Sequence, residues 1–290
     1  MTLTQDLHQR AQGLITRRLG LDFSHKRERD LERGLHQAVK ASSHATLETY
    51  LDWLARQPEE NPEWIRLAGY LTVGETYFFR DRFCFDALEH RVLLPLIETR
   101  RASGWRQLRI WSAGCATGEE PHSFAMLLDR LLPDRHEWTL TILASDINPE
   151  ALHAARLGRY RGWSLRATPA AVRDRYFRPH GSDTFELDRG IREMVTFTPL
   201  NLAHEGYPAP MTNTNAMDVI FCRNVLMYFT PEAQRAVAGR LHQALVPEGW
   251  LAVSPAEATA ELWEPLQPVN FPGTIFFRKT ALTSRPPTPT

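Results

Sequence analysis

The sequence predicts an α/β protein with a doubly wound sheet, an N-terminal all-α domain and a small antiparallel β insertion. Three observations predict this fold class. From Thr4 to about Tyr70 the pattern is helical, with no strand signal. After Arg106, short apolar runs alternate with helical patterns, which is typical of βαβ units. Two short alternating segments, 184–188 and 191–198, interrupt that rhythm.

The N-terminal domain, residues 1–72, is expected to contain four short helices. Apolar residues recur every four positions in the segment 31–39, and at four- and three-residue spacing in the segment 47–54. Such spacing gives each helix one buried stripe. Residues 73–106 are expected to supply a linker helix and a segment that contacts a ligand.

Residues 107–280 are predicted to form the α/β domain. Caps support its helices, because Asn148 and Thr230 each precede a proline at the first helical position. The predicted elements are strands 107–113, 139–145, 217–224, 249–255 and 273–279, with helices at about 119–132, 149–160 and 231–245. The alternating segments 184–188 and 191–198 are expected to pair around a turn at Asp188–Gly190, giving a β subdomain at about 176–200. The Pro/Thr-rich tail 281–290 is typical of an extended linker to a further domain.

Composition excludes several classes of function. The 290 residues carry a formal net charge of zero, so no global field favours nucleic acid or acidic membranes. Three scattered cysteines suit neither a disulfide framework nor a zinc site. The polar N-terminus lacks a signal-peptide core, and no apolar run approaches the length of a membrane span. A cytoplasmic protein without direct membrane insertion is expected.

The stretch RIWSAGCATGEEPHSFAM, residues 109–126, resembles the strand–turn–helix opening of a nucleotide-binding unit, but it carries two carboxylates where a phosphate would sit. Glu119 and Glu120 would repel a pyrophosphate by about 1 kcal/mol each at surface dielectric. A cationic nucleoside without phosphate has the opposite preference, and S-adenosylmethionine is such a ligand. The alternative is structural, because Thr117 to Glu120 fits a capping box.

Polar residues at the ends of two further strands agree with this ligand. Asp146 follows the second strand, where an acid can bind both ribose hydroxyls; the alternative is a cap on the next helix. The run FCRNVLMYF places Arg223, Asn224 and Tyr228 after a buried strand. Polar groups at that edge line the ligand crevice of an open α/β sheet, although Asn224 also suits a loop start and Tyr228 a core aromatic.

Five motifs in order, TYFFRD, WSAGCATGEEPHSFAM, ASDIN, PLNL and FCRNVLMYF, resemble the chemotaxis receptor methyltransferases of the CheR family. The resemblance covers roughly Thr4 to Lys279. It implies a Rossmann-like, S-adenosylmethionine-dependent methyltransferase sheet. It also implies a protein-glutamate O-methyltransferase, which converts glutamate side chains of methyl-accepting chemoreceptors to γ-methyl esters and releases S-adenosylhomocysteine.

The resemblance also implies site residues. Positions matching cofactor contacts are Thr76, Arg80, Glu119, Glu120, Asp146, Asn201, Leu202, Arg223 and Asn224. Of the two glutamates, Glu119 is favoured for the methionine ammonium, since Glu120 suits the cap. Tyr228 and Arg91 resemble positions that orient the reacting groups. The family often has asparagine where this chain has Gly74, so one cofactor hydrogen bond is not expected.

The expected partner is the cytoplasmic domain of a chemoreceptor. Basic residues of the N-terminal domain could steer an acidic receptor helix, although interleaved acids also fit an ordinary solvated surface. These basic residues are Arg17, Arg18, Lys26, Arg27, Arg29 and Arg33. The β insertion lacks the longer glycine-rich turn with which relatives hold a receptor C-terminal pentapeptide, so no such tether is expected.

Three other functions stay open on the sequence. A nicotinamide-dependent oxidoreductase would share the architecture, but the G-x-G-x-x-G pattern is missing. A degenerate methyltransferase that only senses the cofactor is compatible with Gly74. A different methyl acceptor is the third: a small molecule is hard to separate on sequence, whereas a nucleic acid lacks the basic, aromatic-interleaved surface it needs.

Overall fold

The computed structural model describes residues 4–24, 27–72 and 74–280. Lys26 and the tail 281–290 lie outside the described residues. The helices are α1 (Gln5–Leu19), α2 (Glu28–Ala41), α3 (Leu47–Leu54), α4 (Pro62–Leu71), α5 (Arg82–Ala87), a π-helix (Leu88–Leu93), α6 (Leu94–Ser103), α7 (Glu119–Leu131), α8 (Pro149–Leu157), α9 (Ala170–Tyr176), α10 (Arg189–Arg192), α11 (Pro231–Ala244) and α12 (Ala260–Trp263). The strands are β1 (Gln107–Ala113), β2 (Thr139–Asp146), β3 (Arg159–Arg161), β4 (Phe177–Pro179), β5 (Thr184–Leu187), β6 (Val195–Pro199), β7 (Met217–Cys222), β8 (Leu245–Val253), β9 (Gln267–Phe271) and β10 (Thr274–Arg278).

A seven-stranded sheet forms the centre, in the order β6-β2-β1-β7-β8-β10-β9. The pairs from β6 to β8 are parallel, and β10 is antiparallel to both β8 and β9. The predicted α/β class is therefore confirmed. The edge strand β9 was not predicted, because the segment QPVNF is short and has a proline at its second position. Proline weakens a strand pattern.

Side chains of each central strand alternate between the two faces of the sheet, as the pleat requires. Trp111, Leu143 and Ile220 face a core that they share with the N-terminal helices α1 to α4. Their chain neighbours Ile110, Ile142 and Phe221 face a second core with α5, α6 and α7. The predicted four N-terminal helices are thus present, and they bury their apolar stripes in a core that is continuous with one face of the sheet.

The small antiparallel sheet differs from the predicted pairing. It has the order β3-β5-β4, so β5 pairs with β3 and β4 and not with the segment 191–198. That segment is divided: Asp188 caps the short helix α10, and β6 then pairs in parallel with β2 at the edge of the main sheet. The predicted hairpin is wrong because capping by Asp188 turns the chain away from β5.

Prolines at the first helical position start α8 and α11, with Asn148 and Thr230 as their caps, as the sequence indicates. A proline also starts α4. The predicted capping box at Thr117 is wrong. The residue before α7 is Gly118, with φ of 90° and no side-chain capping bond. Across the described ranges, no helix combines the length and apolar character that crossing a membrane requires.

Candidate cofactor and active site

A cleft lies at the carboxyl ends of β1, β2 and β7, where the strand order reverses on either side of β1. This switch point is where open α/β sheets bind their ligands. The cleft contains about 1000 Å³ of empty space, counted to its open mouth. Nine residues that the sequence predicted for the site line it: Thr76, Arg80, Glu120, Asp146, Asn201, Leu202, Arg223, Asn224 and Tyr228.

The floor of the cleft is the glycine turn after β1. Gly114 has φ of 83°, and a Cβ placed there would lie 2.4 Å from a methyl carbon of Val225, so this position requires glycine. The turn is fixed to the next strand, because the N–H groups of Gly114 and Cys115 both donate to the carbonyl oxygen of Ser145, at 2.8 and 2.9 Å. The backbone therefore approaches the ligand space closely and rigidly.

The two glutamates after this turn point to different places. Glu120 lines the cleft, and its Oε1 accepts a 2.7 Å hydrogen bond from Ser112 Oγ. Glu119 is buried behind the cleft wall, where Thr117 and Ser164 donate to its two oxygens. Glu119 is absent from the residues that line the cleft, so the structure does not bring it together with the other predicted cofactor contacts.

Burial raises the pKa of the Glu120 carboxyl, and the positive charges of Arg223 and Arg80 oppose that rise. No ion pair among the described residues includes Glu120. A desolvated carboxylate that faces a cleft is stabilised by a cationic ligand and destabilises a phosphate. This electrostatic preference fits a ligand that carries an ammonium group.

Asp146 lies at the end of β2 with both oxygens aimed at backbone N–H groups. Its Oδ2 accepts from Ala116 at 2.8 Å and its Oδ1 from Asn148 at 2.9 Å. Burial raises the pKa of this carboxyl, and these hydrogen bonds oppose the rise. The next helix is capped by Asn148, so the alternative that Asp146 is the helix cap is wrong. Asp146 lines the cleft, and each of its oxygens has a further lone pair with which to accept from a diol.

Asn201 provides a test of whether the cleft fits an adenine ring. Its Oδ1 accepts from the N–H of Ala203 at 2.9 Å, while its Nδ2 is buried without a partner. A buried unpaired donor is costly unless a ligand supplies the acceptor. Ring nitrogens of adenine are such acceptors, and Ile147 and Leu200 form apolar walls beside it. The residues present therefore fit a phosphate-free, cationic adenine nucleoside.

The loop before α5 forms the other wall. Arg223 holds this loop, because its Nη2 donates to Asp81 Oδ2 at 2.7 Å and its Nη1 donates to the carbonyl oxygen of Arg80 at 3.0 Å. The Arg223 side chain is only 4% exposed. Arg80 itself lines the cleft, and its Nη1 donates to the carbonyl oxygen of Glu75 at 2.6 Å. No ion pair found within the described ranges involves Arg80.

Tyr228 belongs to a loop that depends on a residue the sequence analysis missed. The buried carboxylate of Glu257 accepts backbone hydrogen bonds from Asn224, Val225 and Met227 at 2.7, 2.8 and 3.2 Å. Asn224 takes φ of 58° at the start of this loop. A signal for Glu257 was available, since Ser254 to Glu257 fits the S-x-x-E capping pattern, and the structure contains that capping box.

Arg91 does not join the site. It lies in the π-helix Leu88–Leu93, is exposed, and is absent from the residues that line the cleft. The buried residues of this helix, such as Leu88 and Val92, belong to the second core. The structure therefore does not bring Arg91 together with Tyr228, because the helix turns the Arg91 side chain to solvent.

Comparisons with known proteins agree with the geometry. The family model of the CheR methyltransferase, SAM binding domain, matches residues 74–272. A chemotaxis protein methyltransferase of Borreliella burgdorferi is 30% identical over 258 residues, which cover 89% of each chain. Chemotaxis protein methyltransferase 1 of Pseudomonas aeruginosa is 35% identical over 214 residues, 72% of this chain and 75% of that protein. The probable biofilm formation methyltransferase WspC of the same species is 31% identical over 280 residues, 96% of this chain and 63% of WspC. The chain therefore belongs to the CheR methyltransferase family, and S-adenosylmethionine is its cofactor.

Proposed function

We propose that this enzyme transfers the methyl group of S-adenosylmethionine to the γ-carboxylate of glutamate residues on the cytoplasmic helices of chemoreceptors. The products are glutamyl methyl esters and S-adenosylhomocysteine. The observation that carries the proposal is the division of charge in the cleft. Glu120 and Asp146 line its acidic part, while Arg80 presents a guanidinium without an ion-pair partner among the described residues.

The acidic part suits the cofactor. Glu120 would hold the methionine ammonium, Asp146 the ribose hydroxyls, and Asn201 Nδ2 the adenine ring. The cofactor supplies an activated methyl group and a neutral thioether leaving group. Thr76, Leu202, Arg223 and Asn224 would complete the wall around it.

Arg80 and Tyr228 suit the acceptor. A glutamate carboxylate has an ordinary pKa of about 4.3, so at neutral pH it is already a nucleophile and needs no general base. The work left to the protein is to orient one carboxylate oxygen and to exclude water, which is worth several kcal/mol. Arg80 attracts the acceptor carboxylate, and the Tyr228 hydroxyl can orient it without a bidentate clamp that would stabilise the ground state equally.

The proposed receptor contact concerns the basic face of the N-terminal domain and the turn between β4 and β5. Arg18 pairs with Glu59, and Arg33 pairs with Asp30 at 2.8 Å. Both contacts reduce the basic face expected on the N-terminal domain. The connection between β4 and β5 spans only residues 180–183. This short turn supports a mode of action without a pentapeptide tether; tight capture of a receptor C-terminal pentapeptide by this chain would contradict it.

The proposed activity is compatible with more than one signalling pathway. Relatives are named both for chemotaxis and, in WspC, for biofilm formation. A receptor-type acceptor with glutamate-rich helices is common to both uses, and a cytoplasmic location follows from the proposed acceptor.

The experiment is methyl transfer from radiolabelled S-adenosylmethionine to membranes that contain a cognate receptor. The label should leave as methanol on mild base treatment, which identifies an ester. Substitution Arg80→Met should lower the rate about 100-fold through loss of acceptor positioning, while S-adenosylhomocysteine still binds. The matched control Arg91→Met should retain wild-type activity. A base-stable label, or equal rates for Arg80→Met and wild type, would refute the proposal.

A further inference from the structure

Arg27 lies between two aromatic rings at the start of α2. Its Cζ atom is 4.4 Å from the centre of the Phe23 ring and 4.6 Å from the centre of the Tyr228 ring. Phe23 is fully buried, and Tyr228 lines the cofactor cleft. Arg27 itself does not line the cleft. It therefore contacts the Tyr228 ring from outside the set of residues that line the ligand space.

The guanidinium is held there without a carboxylate. Its Nη1 donates to the backbone carbonyl of Asp22 at 2.6 Å. The Asp22 carboxylate is occupied by the N–H and the hydroxyl of Ser24, both at 2.9 Å. The Nη2 of Arg27 is buried without a hydrogen-bond partner. Burial lowers the pKa of Arg27, and the neighbouring Tyr228, Asp30 and Asp22 oppose the change.

A charge in this position costs desolvation energy that a leucine or methionine would avoid. Stacking of the planar guanidinium on two rings is the compensating contact, and cation–π attraction is stronger when the cation is desolvated. Packing alone does not require a cation here, so the charge points to a role at the ring it contacts.

The backbone around Tyr228 is joined to the same N-terminal segment. The N–H of Asp22 donates to the carbonyl of Tyr228 at 2.9 Å, and the N–H of Thr230 donates to the carbonyl of Gly20 at 3.0 Å. Leu21 and Phe229 form an antiparallel bridge between these bonds. The segment 20–22 thus fixes the Tyr228 main chain, which leaves the ring rotation as the remaining freedom.

We propose that Arg27 is a positioning residue that fixes the Tyr228 ring, and with it the hydroxyl, for methyl transfer. The N-terminal helical domain would then contribute to catalysis from behind the site as well as to receptor contact. This inference rests on the role of Tyr228 given in the proposed function.

The test compares Arg27→Met and Arg27→Lys with the matched control Arg56→Met, an exposed arginine of the same N-terminal domain. Arg27→Met should lower kcat about tenfold, on the order expected for a desolvated cation–π contact. Arg27→Lys should recover part of the rate. The KM for S-adenosylmethionine and the affinity for S-adenosylhomocysteine should stay within about twofold of wild type, because Arg27 does not line the cleft. Arg56→Met should match the wild type.

A double-mutant cycle with Tyr228→Phe separates positioning from a merely structural role. If Arg27 acts through the Tyr228 hydroxyl, Arg27→Met should reduce kcat less than about twofold in the Tyr228→Phe background. Multiplicative effects of the two substitutions, or parallel loss of cofactor affinity and thermal stability in Arg27→Met, would overturn the inference. If Arg27→Met does not fold, Arg27→Lys carries the same cycle.

A readout that needs no acceptor keeps this inference separate from the proposed function. In protein labelled with ring-¹³C tyrosine, the Tyr228 resonance is the one that disappears in Tyr228→Phe. Its chemical shift should change in Arg27→Met and stay unchanged in Arg56→Met. An unchanged Tyr228 resonance in Arg27→Met refutes the inference, whatever the methyl acceptor is. Failure of the wild-type enzyme to label receptor glutamates refutes only the proposed function.

Discussion

Glu257 offers the sharpest test of how the site is built. Its Oε2 accepts from the N–H of Asn224, and its Oε1 accepts from the N–H groups of Val225 and Met227. The Ser254 hydroxyl also donates to Oε2. Substitution Glu257→Gln keeps the shape but replaces one oxygen by an NH₂ group. In either orientation of the amide, that NH₂ faces at least two donors and accepts from neither.

The expected magnitude follows from this count. Each buried donor left unsatisfied costs about 1–3 kcal/mol, so the free energy of unfolding should fall by about 4 kcal/mol. At about 2–4 °C per kcal/mol for a chain somewhat smaller than this one, Tm should fall by roughly 10 °C. The loop that carries Asn224 and Tyr228 loses its anchor, so S-adenosylhomocysteine should bind about tenfold more weakly, which corresponds to ~1.4 kcal/mol.

Urea unfolding and isothermal titration with S-adenosylhomocysteine measure the two effects. The matched control is Glu261→Gln, because Glu261 is an exposed acid four residues further along the chain. It should match the wild type in both assays. If Glu257→Gln unfolds within about 1 kcal/mol of the wild type and binds the product with equal affinity, then Glu257 does not hold this loop and the reasoning fails.

Three further predictions concern the cleft. Glu120→Gln should weaken S-adenosylhomocysteine binding about tenfold, in line with loss of a partly desolvated ion pair, whereas Glu119→Gln should change it less than about threefold; titration calorimetry that gave the reverse order would show that Glu119 holds the ammonium. Because burial raises the pKa of both Glu120 and Asp146 above the ordinary carboxyl value, product affinity should fall as pH is lowered from neutral toward that ordinary value of about 4. Over the same range the ligand-free protein should become more stable, since a raised folded pKa favours folding when the carboxyl is protonated; opposite slopes in calorimetry and thermal unfolding check both signs, and a flat binding profile contradicts the assignment. Gly74→Asn should fold normally, because a Cβ at Gly74 would lie 3.6 Å from the Ala116 Cβ, and it should tighten product binding severalfold by one added hydrogen bond; a loss of affinity in calorimetry would show that the larger side chain obstructs the cleft.

Much of the fold and part of the cleft lining could be predicted from sequence, because local sequence patterns specify them. Proline and asparagine or threonine caps placed α8 and α11, and apolar runs placed β1, β2 and β7. The carboxyl ends of parallel strands meet at one edge of a sheet. For that reason Asp146 and Arg223 could be assigned to a common cleft from their positions in the chain.

Details that depend on direction could not be predicted. Successive residues on a helix point about 100° apart, so Glu119 and Glu120 have different surroundings, and only Glu120 lines the cleft. The chain enters α7 through Gly118, which has φ of 90°, and this geometry places Glu120 among the residues that line the cleft. In the same way, the turn capped by Asp188 sent β6 to the main sheet.

The sequence by itself determined the α/β class, the alternation of strands and helices after Arg106, the acidic character of the turn and the class of ligand that this turn accepts. Only the tertiary structure decided that Glu120 and not Glu119 lines the cleft, and that Arg91 faces solvent. It also decided that Glu257 accepts from the Tyr228 loop and that Arg27 contacts the Tyr228 ring. The physical reason is separation along the chain. Glu257 and Arg27 lie about 30 and 200 residues from Tyr228, and contacts over such distances form only when the packed sheet and helices bring the segments together.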